Sequence, residues 1–201
     1  SWSGKIERNY YRAEDLPQLV ISEICYHPAD PTSAETAMGY DDADDFEFIE
    51  IQNIGSNTVD LTSLVLAGGI SFDFTMATST DLAAGSRILV VKNLPAFEAR
   101  YGSGLPVISS YGGALNNAGD QIILADALLD IDIQNFTYDD EPPWPTCADG
   151  QGYSLVLRQP YTNPNHSAVA NWRCSGLPSG NPGTQDAVSA FLGNSSVDDD
   201  G

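Results

Sequence analysis

The chain has 201 residues, enough for one well-packed domain with flanking segments. Its 28 acidic side chains outnumber 8 basic ones, giving a formal net charge of -20 that repels phosphate backbones and argues against nucleic-acid partners. A hydrophobic content of 42% excludes a disordered chain, and no apolar run reaches the ~18 residues of a membrane span.

In chain order, residues 1–18 open without methionine or an apolar leader and carry three of the eight basic residues. They read as the end of a preceding domain or a linker within a longer protein. The first strand is expected at 19–26 (LVISEICY), between Pro17 and Pro28, with Glu23 interrupting its apolar run and Cys25 as a small buried hydrophobe. An acidic loop ends in DDADD at 41–45 and runs into a second strand at 47–53. Alternation there places Ile49 and Ile51 on one face and Phe48, Glu50 and Gln52 on the other. Further strands are expected at 64–67, 70–75, 87–92, 121–125, 131–138, 153–158 and 170–173, punctuated by Gly, Pro, Asn and Asp. The spacing favours an all-β antiparallel sandwich or barrel over alternating βαβ units. One helix fits at 95–101: Pro95 suits a first helical turn, Phe97 and Tyr101 share a face, and Gly102 can end it. Residues 186–201 read as a linker that closes on DDDG, the opening of an Asp-x-Asp-Gly calcium repeat with only its first ligands.

Three groups of residues could carry chemistry. Asp41, Asp42, Asp44 and Asp45 supply hard oxygen ligands with no lysine or arginine nearby, which suits calcium as a structural ion. Their spacing is not that of an EF-hand, and a solvated loop is the competing reading. If the first two strands pair, Glu23 and Glu50 lie close together at the end of a sheet. An acid and base pair could arise there, but the sequence shows no substrate-positioning groups, so solvated or backbone-bonded glutamates are expected. Cys147 and Cys174 sit in turn-rich segments; a disulfide would close a loop of roughly thirty residues and stabilise by about 3 kcal/mol, against the alternative of two free thiols. No Cys-x-x-Cys or His-x-x-x-His spacing supports zinc. His27 and His166 occupy turns, and no Gly-x-Ser-x-Gly elbow or phosphate-binding loop occurs. Sequons stand at Asn135, Asn165 and Asn194. Trp144, flanked by prolines, is a candidate ligand contact as a sugar-stacking platform or else packs over a sandwich end, and Trp172 is expected in the core.

The order of motifs resembles a lamin-tail domain of the bacterial type. The resemblance rests on LVISEICYHP, EFIEIQNIGSNTVDLTSLVLAGG, ISFDFT, LAAGSRILVVKN, FEARYG and GGALNNAGDQIILAD, then FTYDDEPPWPTCADGQGYSLVL, NPNHSAVANWR and SGNPGTQ. It covers residues 19–185, which would form the domain. It implies an immunoglobulin-like β-sandwich without enzymatic activity, an accessory module of a secreted or surface protein. Within it, 116–120 would form a hairpin turn before Ile122. The work implied is adhesion, tethering or domain spacing, with other domains of the same polypeptide and an unidentified protein or polysaccharide as partners. The alternative is a carbohydrate-binding module that targets an attached enzyme to polysaccharide. The acidic insertion at 28–46 and the cysteines depart from the family's pattern.

Overall fold

The computed structural model describes residues 16–186. Among them the chain runs β1 (Leu19–Cys25), α1 (Ser33–Ala37), β2 (Phe48–Asn53), β3 (Val59–Asp60), β4 (Leu64–Gly68), β5 (Ile70–Asp73) and β6 (Asp81–Leu82). It continues through β7 (Arg87–Val91), α2 (Leu94–Tyr101), β8 (Val107–Ser110), β9 (Gly112–Gly113), β10 (Asp120–Asp126), β11 (Ile131–Tyr138), β12 (Leu155–Leu157) and β13 (Trp172–Cys174). One sheet has the order β13–β12–β1–β2–β7–β8, a second β11–β10–β4–β5–β9, and β3 pairs with β6. The two larger sheets meet face to face, with Ile24, Ile49 and Ile51 of one against Leu66, Ile122, Leu124 and Phe136 of the other. Each such side chain contributes roughly 1.5–3 kcal/mol on burial. The result is an immunoglobulin-like β-sandwich.

Strand β1 departs from simple alternation for a reason visible in its pairing. Ile21 stands opposite Ile51, and Glu23 stands opposite Glu50, so Ser22 is an extra residue that bulges the strand. One inserted residue shifts the period of two, which lets both Ile21 and Ile24 face the core. Ser22 and Glu23 join Glu50 at the pocket on the opposite face. That outer face is itself buried.

Part of its cover is α2. Asn93 caps this helix through Oδ1, which accepts from the Ala96 N–H, and Pro95 lies in its first turn. Phe97 of α2 packs with Cys25, Phe48, Leu89 and Val91, a second apolar cluster outside the sandwich core. Cys25 is fully buried as a small hydrophobe, and burial pushes its thiol up to about 12. Beside α2 lies α1, five residues inside the acidic insertion. Its only sequence signal is a capping box, in which Thr32 Oγ1 accepts from the Glu35 N–H and Glu35 Oε2 accepts from the Thr32 N–H.

The pairing corrects two expectations. The sandwich is not purely antiparallel, because β8 runs parallel to β7. Parallel neighbours need a crossover, and α2 supplies it between them. The turn at 116–120 is present, with Gly119 N–H donating to Asn116 C=O, but it closes no hairpin: β9 pairs with β5, while β10 pairs with β11 and β4. Among the described residues no helix is long and apolar enough to cross a membrane.

Candidate functional site

Two of the four aspartates of the acidic loop have separate structural uses. Asp42 caps a short 3-10 turn at Ala43–Phe46, accepting from the Asp44 N–H at 3.1 Å. Asp45 accepts from Asn93 Nδ2 at 3.0 Å and so ties the loop to the start of α2. Burial and the neighbouring Asp42 raise the pKa of Asp44, and Asp41 is exposed. Among the described residues, no three His, Cys, Asp or Glu side chains gather as a cage for a metal ion. The insertion is held instead by Arg100 of α2, which grips Glu35.

Cys147 and Cys174 are joined as a disulfide, with Cα atoms 6.1 Å apart, linking a short turn at Thr146–Ala148 to edge strand β13. His27 Nδ1 lies 2.6 Å from Asp149 Oδ1, which fastens the same segment to the end of β1. Trp144 is half-buried and packs on Trp172, ring centroids 6.2 Å apart, against the end of the core. That contact gives it a packing role. His166 lies in the expected turn and is buried there: its Nε2 accepts from the Ile21 N–H, and its ring lies between Phe136 and Trp172. Burial lowers its pKa to about 4. The sequons at Asn135 and Asn165 are exposed, whereas Asn194, the 186–201 calcium-repeat reading beyond Asp186 and the 1–18 linker before Leu16 lie outside the described residues.

Glu23 and Glu50 do lie together, but in the middle of the six-stranded sheet instead of at its end, and not in solvent. Both are buried, each with its own donors. Ser154 Oγ and the Asn181 N–H donate to Glu23 Oε1. Ser22 Oγ donates to Glu50 Oε1 at 2.6 Å, and the Gly183 N–H donates to Oε2 at 2.8 Å. Arg87 Nε stands 3.1 Å from Glu50 Oε1, close enough to pair but not aligned for a hydrogen bond. Burial, then the charge of Glu50, pushes Glu23 up to about 8, so it holds its proton at neutral pH. Gly180 packs so tightly here that a Cβ would overlap Glu23 Oε1, and its φ of +72° is one that glycine adopts freely.

Around this pair the outer face of the sheet forms the floor of a pocket of about 330 Å³. Segments 158–161 and 184–186 wall it. Gln52, which alternation had placed beside Glu50, is fully buried there, and neither its amide nitrogen nor its amide oxygen has a hydrogen-bond partner. Leaving such a group unpaired costs roughly 1–3 kcal/mol. Of the five basic residues in 16–186 (Arg87, Lys92, Arg100, Arg158 and Arg173), three line this pocket. Sequence reasoning missed it because the walls come from turn segments far along the chain.

Fold and site together define a β-sandwich module of immunoglobulin type with a buried polar face on one sheet. The lamin tail domain model matches residues 12–140, and the chain belongs to that family, an immunoglobulin-like family without enzymatic activity of its own. Neither a curated protein nor a solved structure matches the chain.

Proposed function

We propose that the chain is a non-catalytic lamin-tail module of a larger extracytoplasmic protein, where it tethers that protein or spaces its domains. The observation that carries this reading is the Cys147–Cys174 disulfide, which pins a long loop to an edge strand. Such bonds persist in oxidising compartments and are rare in the reducing cytosol. The absence of catalysis is supported by how Glu23 and Glu50 are used: their donors come from the fold itself, so they close the C-terminal segment onto the sheet. Asp42 and Asp45 of the acidic loop serve as a cap and a tie, and tethering needs no structural calcium. Removing residues 16–186 from the parent polypeptide should abolish its retention at the cell surface or matrix while leaving the turnover of any enzymatic neighbour unchanged. Unchanged retention, with lost turnover, would overturn the proposal.

A further inference from the structure

We infer that the pocket over Glu50, Gln52 and Arg87 binds a uronic acid, a sugar unit carrying one carboxylate beside neutral hydroxyls. This goes beyond the tethering reading and stands on the pocket's own chemistry. At about 330 Å³ the space lies at the small end of the roughly 300–1,000 Å³ of small-molecule sites.

Charge comes first. The pocket holds the guanidinium groups of Arg87, Arg158 and Arg173 against the carboxyl groups of Glu23, Glu50 and Asp186. Glu23 keeps its proton and burial raises Glu50 too, so three cations face at most two anions in a chain of net charge -20. Arg173 is committed to Asp186. Arg87 pairs with Glu50 through Nε and Arg158 donates from Nε to the Trp172 C=O, but among the described residues no hydrogen bond engages the terminal nitrogens of either one. They offer planar forks for a carboxylate. A doubly charged phosphate or sulfate would meet the repulsion of the whole chain more strongly than a single carboxylate does.

Gln52 then selects what accompanies the carboxylate. It presents one free acceptor and one free donor group at the floor. A hydroxyl both donates and accepts, so sugar hydroxyls satisfy both atoms. An ionised aspartate or glutamate side chain only accepts, and would leave Gln52 Oε1 unpaired. Tyr161, 59% exposed at the mouth, supplies an apolar face for a sugar ring.

The test is a titration of the whole chain with D-glucuronate at neutral pH, followed by amide chemical shifts and calorimetry. Glucose, acetate and N-acetyl-aspartate amide serve as comparisons. Glucuronate should bind with a dissociation constant on the order of 1 mM, shifting residues around Gln52, with each comparison at least about tenfold weaker. Arg158→Gln, at the wall and away from the strands, should weaken glucuronate about tenfold, as should Gln52→Leu. Far-ultraviolet circular dichroism and melting temperature establish that each variant is folded. Equal binding of acetate would reduce the site to charge alone, and equal binding of the aspartate amide would assign it to a protein partner. Either result, or glucuronate binding untouched by Arg158→Gln, overturns the proposal. Failure here leaves the surface-retention experiment unaffected, so the two readings fall separately.

Discussion

Arg100 Nε lies 2.8 Å from Glu35 Oε1, and its Nη2 lies 3.0 Å from Oε2, a two-pronged pair between α2 and the acidic insertion. The same guanidinium donates to the Ala29 C=O and sits 3.4 Å above the centroid of Phe46. A segment that is strongly acidic in sequence is thus anchored by one cation. Both side chains are nearly buried, so the pair is only weakly screened by solvent.

Glu35→Gln should therefore cost about 3 kcal/mol at neutral pH, since it strands a desolvated guanidinium. For a chain of this size that is a fall in melting temperature of roughly 10 °C. The hydrogen bonds from Arg100 lower Glu35 to about 2 from an ordinary 4.5. The stabilisation is complete above 4.5 and is lost as pH falls through about 2. Wild type and variant should converge across that window in thermal melts, and a constant gap down to pH 2 would contradict the assignment.

Glu23 works in the opposite sense. Burial and the adjacent Glu50 raise it to about 8, whereas the unfolded chain releases this proton near 4.5. Stability from Glu23 is thus full below 4.5 and declines until pH passes about 8. Glu47 adds to the same trend, since burial also raises it to about 8 although Tyr111 and Leu115 donate to it. His166, lowered to about 4, changes stability only below its ordinary 6.5, so the range above 6.5 is free of it. Urea unfolding should show wild type losing on the order of 2 kcal/mol for each of the two glutamates, about 4 kcal/mol together, between pH 6.5 and 8.5. Glu23→Gln keeps an acceptor for Ser154 and Asn181 and should visibly flatten that decline. Identical slopes would remove Glu23 from the account.

Alternation alone separated Ile49 and Ile51 from Phe48, Glu50 and Gln52, and the structure keeps that division. Period-two patterning is strong where one face is core, so β2 was legible. Strand β9 is Gly112–Gly113, with no side chain to pattern, and β8 reads VISS, too short and polar to register. Their positions follow from backbone pairing with distant strands. The pocket was illegible for a related reason: its floor is one sheet face, but Arg158, Tyr161 and Asp186 reach it from turns more than a hundred residues later. Nothing local in EFIEIQN says that Gln52 is buried; only the C-terminal segment folding over it does.

The disulfide offers a direct measurement. Cys147 and Cys174 are 27 residues apart, and closing a loop of that length stabilises by about 3–4 kcal/mol in the chain-entropy account. The double substitution Cys147→Ser and Cys174→Ser should lower stability by that amount in urea titrations. Wild type under reductant should fall to the same value. Mass spectrometry without reductant should find one thiol that alkylates after unfolding, Cys25, which is fully buried in the native fold. Three alkylated cysteines would refute the bridge and with it the main support for an oxidising compartment.

The acidic loop yields the last prediction. Four aspartates in five residues look like a calcium site by composition, but affinity depends on several oxygens converging at about 2.3–2.6 Å from one ion. Asp42 instead spends an oxygen on the Asp44 N–H, and Asp45 spends one on Asn93. Repulsion within the loop should still be eased by any divalent cation, by about a degree or two of melting temperature on the scale of screening. Calcium and magnesium should then act alike, and chelator should return the melt to its starting value. Asp42→Ala and Asp45→Ala should cost about 1 kcal/mol each through the lost cap and the lost tie to Asn93, with or without calcium. A rise with calcium that magnesium does not reproduce, and that either substitution abolishes, would instead establish a specific ion site in the loop.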